Sequence, residues 1–207
     1  MAVDQPSAAP FWDQRYGEAE PAYGLEPNDF LKQQAANLPA GDAICLAEGQ
    51  GRNAVHLARL GHRVVAQDLS SVGLARAVAL AASHKVKLRT QQGDLADWDP
   101  APQSVDLVVA IWMHLPPRLR AQVHRKAIEA LRPGGHLLIE AYTPAQLALA
   151  TGGPPSLELL VDPGDLRQEL QGLELLVFQS CERWIEEGPY HHGQSAVVQA
   201  LAQKVDR

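Results

Sequence analysis

Two cysteines in 207 residues, Cys45 and Cys181, lie far apart and each within an apolar run. They cannot form a disulfide framework or a cysteine-based zinc site, and they fit a reducing, cytoplasmic setting. Long apolar runs are also missing. The longest stretches, such as residues 105–113, begin beside polar residues and fall far short of a membrane span. The opening Met1-Ala2-Val3-Asp4-Gln5-Pro6 has neither the basic start nor the apolar run of a secretory signal. No membrane partner is expected. A basic excess is absent too: 18 Lys and Arg stand against 24 Asp and Glu, a formal charge of -6. That balance argues against a nucleic-acid partner, because a duplex-binding surface displaces counterions with positive charge.

What is present is ordinary for a folded protein, 46% hydrophobic and 20% charged, at a length that suits one α/β domain with a modest N-terminal extension. Four of the scarce aromatics, Phe11, Trp12, Tyr16 and Tyr23, gather in that extension, followed by a helix-like stretch over residues 28–37. Residues 1–40 are therefore read as a cover segment and 41–207 as the main domain. From residue 43 short apolar runs alternate with helical segments, the pattern of βαβ units and a parallel sheet. Strands are expected at 43–47, 63–67, 86–91, 105–111 and 136–141, with helices at 53–60, 72–83 and 118–131. Near-continuous apolar strands such as 105–111 predict helices on both faces. After a helical stretch from Thr143-Pro144, a glycine-proline loop at 151–155 and a helix over 163–170, runs at 173–178 and 196–201 predict an antiparallel pair closing one edge. The polar segment between them, 182–195, reads as a long connection.

The first strand ends in Glu48-Gly49-Gln50-Gly51 and feeds a helix, which sets backbone amides at a helix N-terminus with no Cβ to block a ligand. Nineteen residues after Gly49, Asp68 ends the next strand, where a carboxylate can accept both hydroxyl hydrogens of a ribose. Gly49-Gln50-Gly51-Arg52-Asn53-Ala54 also satisfies the dinucleotide fingerprint, so the loop by itself leaves an NAD(P)-dependent oxidoreductase open. No Tyr-x-x-x-Lys pair supports that alternative: the residues four after Tyr16, Tyr23, Tyr142 and Tyr190 are Glu20, Pro27, Gln146 and Gln194.

Gln92-Gly93-Asp94-Leu95 after the third strand, Ile111-Trp112-Met113-His114-Leu115-Pro116 after the fourth and Leu131-Arg132-Pro133-Gly134-Gly135 before the fifth decide between these. With the glycine loop they resemble the class I S-adenosylmethionine-dependent methyltransferases. Phe11-Trp12-Asp13-Gln14-Arg15-Tyr16, Tyr23-Gly24-Leu25-Glu26-Pro27-Asn28 and Glu48-Gly49-Gln50-Gly51-Arg52-Asn53 narrow the likeness to the small-molecule branch related to tellurite-resistance and thiopurine methyltransferases. The Ala47-Glu48 opening of the loop departs from many class I members. The resemblance implies a Rossmann-like fold with a mostly parallel seven-stranded sheet, S-adenosyl-L-methionine as cofactor, and a small-molecule methyl acceptor such as tellurite, selenite or a thiol. It implies that Asp94 and the Leu95 backbone hold adenine and that Glu48, Gly49 and Gly51 line the methionine and ribose, with Leu69, Gly93 and Ile111 completing the cofactor set.

Methyl transfer from a sulfonium needs alignment in a desolvated pocket rather than a metal or a covalent intermediate. Trp12, Tyr16 and Tyr23 are candidates to face the sulfonium, since ring faces attract cations; packing of a lid is the other reading of the same rings. Arg52 is either a partner for the ligand's carboxylate or a solvated helix residue. Asn53 reads as a cap or first-turn residue of the helix within reach of the ligand. His114, just past the fourth strand, is the candidate general base, with a packed loop corner as the alternative. Tyr142 is a similar candidate for substrate contact. His191-His192 lacks the spacing of a metal site and is read as a solvated hairpin tip. A non-catalytic S-adenosylmethionine-binding module would keep the same loop, so turnover is what separates it from an enzyme. Nothing in the sequence sets the oligomeric state.

Overall fold

In a computed structural model, which describes residues 9–205, seven strands form one sheet in the order β3-β2-β1-β4-β5-β7-β6. The first eight residues of the expected cover segment, including the opening hexapeptide, lie outside the described residues. Strands β1 (Asp42–Leu46), β2 (Arg63–Asp68), β3 (Arg89–Gln92), β4 (Val105–Ile111) and β5 (Leu131–Tyr142) run parallel; β7 (His192–Lys204) is antiparallel to β5, and β6 (Leu173–Glu186) to β7. No helix among the described residues is long and apolar enough to cross a membrane.

The alternation of side chains along a strand explains the two cores. On β4, Val108 and Ala110 pack with Ile44 and Leu46 of β1 against α5 (Pro117–Ala130) and α7 (Pro163–Glu169), through Val123, Ala127, Leu166 and Leu170. Leu107, Val109 and Ile111 face the other way with Ala43 and Cys45, onto Phe30 and Leu31 of α2 (Asp29–Ala35), Leu57 of α3 (Arg52–Arg59) and Leu74 of α4 (Ser71–Ser83). Each large apolar side chain buried this way stabilises the fold by about 1.5–3 kcal/mol. A buried ion pair secures the first layer: Glu169 of α7 accepts from Arg120 Nη2 at 2.8 Å and meets His124 Nδ1 at 2.7 Å, both on α5.

Three expectations change. The third strand is confined to Arg89–Gln92, because residues 86–88 leave α4 through a turn opened by Lys85 at φ 58. Pro133-Gly134-Gly135 is an interruption within β5, where the register slips between Val105/Leu131 and Leu107/His136. Most of the polar segment 182–195 is strand: the β6–β7 ladder continues to Glu186↔His192, so the connection is only residues 187–191. The expected helices at 163–170, 118–131 and 72–83 are found as α7, α5 and α4, and the start from Thr143-Pro144 as the short α6 (Gln146–Leu149).

Candidate active site

The strand order reverses between β1 and β4, and the crevice outside the carboxyl ends of two such strands is where open α/β sheets receive ligands. Both strands end in left-handed residues, Ala47 at φ 49 and Trp112 at φ 56. The loop after β1 then turns through Gly49 and Gly51, at φ 61 and 90. A Cβ on Gly51 would lie 2.5 Å from the Ala77 side chain of α4, and one on Gly49 would lie 2.6 Å from the Tyr16 hydroxyl. Only glycine permits both the turn and these approaches.

Asp68 locks that loop to the end of β2. Its Oδ2 accepts from Gly49 N at 2.7 Å and its Oδ1 from Ser70 N at 2.8 Å. Burial raises its pKa even against those hydrogen bonds. Glu48 turns back under α3, accepting from Ala54 N at 2.7 Å, and its burial lifts its carboxyl to about 7. Asp94 is exposed and accepts from Ala96 N at 2.8 Å, while beside it Gly93 has open space where a side chain would be. Leu95 and Ile111 are buried and Leu69 half-buried.

The N-terminal segment lies over this loop. Helix α1 (Ala9–Gly17) inserts Tyr16 into the notch between Gly49 and Gly73, Trp12 stacks on Tyr16 at 5.6 Å, and Tyr23 meets Tyr16 edge-on at 6.3 Å. The backbone of Ala22 donates to Gln50 Oε1 at 2.9 Å. Asn53 lies in the first turn of α3 and accepts from Asn28 N at 2.9 Å, tying the segment to the helix; the position before the helix is Gly51.

Beside the loop is a charge network that no local motif announced. Glu187, in the connection between β6 and β7, accepts from Arg52 Nη2 at 2.5 Å, Trp112 Nε1 at 2.6 Å, Asn28 Nδ2 at 2.9 Å and Arg183 Nη2 at 3.2 Å. Glu140 of β5, fully buried, accepts from the same Asn28 amide, from Arg183 twice and from Gln199. Burial alone would raise the Glu187 carboxyl, but Arg52 and the Trp112 hydrogen bond bring it below the usual range. Two guanidiniums thus neutralise two carboxylates. The only sequence signal for Glu140 is an acid inside the apolar run Leu137-Leu138-Ile139-Glu140-Ala141.

His114 stands where the β4 loop leaves the sheet, its Nδ1 3.4 Å from the Leu159 carbonyl, and burial lowers its pKa to about 4. The imidazole is therefore neutral near pH 7, and a proton on Nδ1 leaves Nε2 as an acceptor. His191 is not at a solvated tip: it is 4% exposed, 4.5 Å from the Tyr23 ring and 5.1 Å from Trp112, whereas His192 is exposed on β7. The short connection folds His191 inward. No group of three or more His, Cys, Asp or Glu among the described residues is placed to hold a metal ion.

A nucleoside sulfonium fits this donor set. An acid ends β2, another follows β3 beside open space, uncharged rings cover the glycine loop, and the guanidinium of Arg52 is already neutralised. Residues 43–135 match a family model described as "Methyltransferase domain". No curated protein matches the chain. Among solved structures, the one described in "Conversion of a Disulfide Bond into a Thioacetal Group during Echinomycin Biosynthesis" is 18% identical, with TM-score 0.76 over 96% of this chain and 92% of that one. The N-methyltransferase NodS from Bradyrhizobium japonicum WM9, in complex with S-adenosyl-l-homocysteine, is 14% identical, with TM-score 0.72 over 96% and 99%. TehB from Haemophilus influenzae is 17% identical, with TM-score 0.71 over 96% and 67%. At these identities the likeness to the solved structures is one of fold.

Proposed function

We propose that this enzyme, a methyltransferase whose cofactor is S-adenosylmethionine, transfers its methyl group to a small-molecule acceptor bound over the carboxyl ends of β4 and β5. The observation that carries the reading is the meeting, at the β1/β4 reversal, of a glycine loop locked by Asp68 with a neutral His114 whose Nε2 has no hydrogen-bond partner among the described residues. The bound cofactor supplies an electrophilic methyl on a sulfonium.

In this reading Asp68 accepts from the ribose hydroxyls through the lone pairs that Gly49 and Ser70 leave free, and Asp94 with the Leu95 backbone holds adenine against Leu69, Gly93 and Ile111. The backbone of Gly49 and Gly51 lines the methionine end, with Glu48 beneath them. Trp12, Tyr16 and Tyr23 exclude water and present ring faces to positive charge. Arg52 and Asn53 act at one remove, by fastening Glu187 and Asn28. His114 orients the acceptor and receives its proton.

The finer form of the reading, a soft acceptor such as tellurite, selenite or a thiol, is supported by the sequence resemblance. The test is incubation with methyl-labelled S-adenosylmethionine and a panel of tellurite, selenite, thiols, phenols and azoles. Formation of S-adenosylhomocysteine on a panel member is the expected result. Cofactor binding without turnover on any of them counts against a small-molecule acceptor.

A further inference from the structure

Near the carboxyl ends of β4 and β5, three polar atoms have no hydrogen-bond partner among the described residues: the Tyr142 hydroxyl, His114 Nε2 and His191 Nδ1. Their rings form one patch. Tyr142 lies parallel to His114 at 5.7 Å and to Trp112 at 4.3 Å, and His191 stands edge-on to Tyr142 at 5.2 Å. Tyr142 is fully buried and His191 nearly so. Buried polar groups are paired as a rule, so three unpaired ones in one patch call for a ligand.

The cover over the patch is Thr151-Gly152-Gly153. A Cβ on Gly152 would lie 2.7 Å from the Tyr142 hydroxyl and 3.0 Å from His191 Cδ2, and one on Gly153 would lie 2.7 Å from the Tyr142 ring. The segment is fastened at Thr151, whose carbonyl accepts from His192 N at 3.0 Å, and by Gln146 Nε2, which donates to the Thr151 hydroxyl at 2.9 Å and to the Gly152 carbonyl at 3.2 Å. Tyr142 and His191 are therefore reached only when the two glycines lift.

The patch carries no charge near neutral pH. Burial lowers His114 to about 4 and His191 to about 3, and it raises the Tyr142 phenol. The neighbouring guanidiniums of Arg52 and Arg183 are already paired with Glu187 and Glu140. The Arg15 guanidinium lies outside the patch, over the Tyr190 ring at 3.6 Å and against the Tyr23 hydroxyl, so an oxyanion against Tyr142 and His114 would lose its hydration with no cation among the rings that hold it. A planar molecule would meet aromatic faces, a hydroxyl donor on Tyr142 and a lone pair on His114.

We propose that Tyr142, His114 and His191 form the acceptor subsite beneath a lifting Thr151-Gly152-Gly153 cover, and that it takes a neutral planar phenol or azole. The acceptor's O–H or N–H points to His114 Nε2, and its oxygen or second nitrogen accepts from Tyr142. On transfer a lone pair of the phenol oxygen, or that of the azole's second nitrogen as Tyr142 releases it, forms the new bond to the methyl carbon, the carbon–sulfur bond breaks with its electron pair staying on sulfur, and the O–H or N–H proton passes to His114 and on to solvent. This inference rests on the methyltransferase reading and puts a neutral planar acceptor in place of the tellurite or selenite of its finer form.

The test uses the full chain saturated with S-adenosylhomocysteine, a state first verified by calorimetry, and titrated at neutral pH with phenol, benzimidazole and sodium selenite. The expected result is that phenol or benzimidazole binds and selenite does not. Tyr142→Phe, which keeps the ring, should weaken the bound probe roughly tenfold, the scale of one lost hydrogen bond, without moving S-adenosylhomocysteine affinity. Binding of selenite in preference, binding of neither planar probe, or a Tyr142→Phe variant that binds the probe like the parent chain overturns the proposal and leaves the methyltransferase reading standing. A chain that does not bind S-adenosylhomocysteine at all removes that reading, and this one with it.

Discussion

The indole Nε1–H of Trp112 donates to the Glu187 carboxylate across 2.6 Å, joining positions 75 residues apart. Trp112 holds a left-handed backbone at φ 56, which costs a bulky residue on the order of 1–3 kcal/mol. Its stacking on Tyr142 at 4.3 Å and its bond to Glu187 keep it there. The end of β4 is thus shaped by the connection between β6 and β7.

Removing the Glu187 carboxylate should therefore damage more than one contact. Glu187→Ala leaves the buried Arg52 guanidinium without its anion, a change that costs about 3–5 kcal/mol. Glu187→Gln, which keeps an acceptor for Trp112, should cost less. Urea denaturation of both variants measures this, and a loss below about 1 kcal/mol for the alanine variant would contradict a central role for the network.

Asp68→Ala is expected to weaken S-adenosylmethionine binding by about 1–3 kcal/mol, the scale of lost hydrogen bonds to a charged group. Because Asp68 also accepts from Gly49 and Ser70, the melting temperature should fall as well. Unchanged affinity in calorimetry would take Asp68 out of the ribose site.

Glu48 supplies a pH signature. Burial raises its carboxyl to about 7, so it is mostly neutral at pH 6 and mostly ionised at pH 8. A bound sulfonium favours the ionised form, whereas the neutral sulfur of S-adenosylhomocysteine does not. The affinity ratio of the two ligands should rise in favour of S-adenosylmethionine over that interval, and Glu48→Gln should flatten the rise. A ratio independent of pH in the parent chain would place Glu48 away from the sulfonium.

His191 links acidity to stability. Burial lowers its folded pKa to about 3 from the ordinary 6.5 of a histidine, so on acidification the unfolded chain takes up its proton first. The stability is complete above about pH 6.5 and is lost as pH falls toward the folded value, by about 1.4 kcal/mol per pH unit. In denaturation curves between pH 6 and 4.5, His191→Gln should show a slope shallower than the parent's by that amount. Equal slopes would mean that the imidazole is protonated in place.

Deleting residues 1–27 should impair turnover more than folding. The cut removes Tyr16 from its notch but spares Asn28, which caps α2 and donates to both Glu140 and Glu187. Full activity of the shortened chain, measured as S-adenosylhomocysteine release, would exclude the aromatic cover from the site.

Much of the sheet is legible in the sequence because its central strands are buried on both faces and read as unbroken apolar runs, β4 above all. The far half of β6 is not, because Glu182, Trp184 and Glu186 belong to an exposed edge strand whose alternation of charged and apolar residues looks like a polar loop. For the candidate site, the glycine loop and its acids stand out because their spacing is local. Asn28, Glu140 and Glu187 do not, since the hydrogen bonds that join them span 112 and 159 positions. His191 is hidden for a related reason: its neighbourhood is polar in sequence and aromatic in the fold, once β6 and β7 pair to Glu186↔His192.

The same hairpin has a consequence for the newly made chain. A ribosome completes β1 through β5, with the glycine loop and Asp68, before it makes Arg183 and Glu187. Until those emerge, Glu140 lacks its guanidinium, and Arg52 and the Trp112 indole lack their carboxylate. Domains gather their long-range pairings late, so a nascent chain holds the cofactor loop while the β4 corner is still unset. The β4 corner is therefore set only when Arg183 and Glu187 join it, after every residue of the glycine loop.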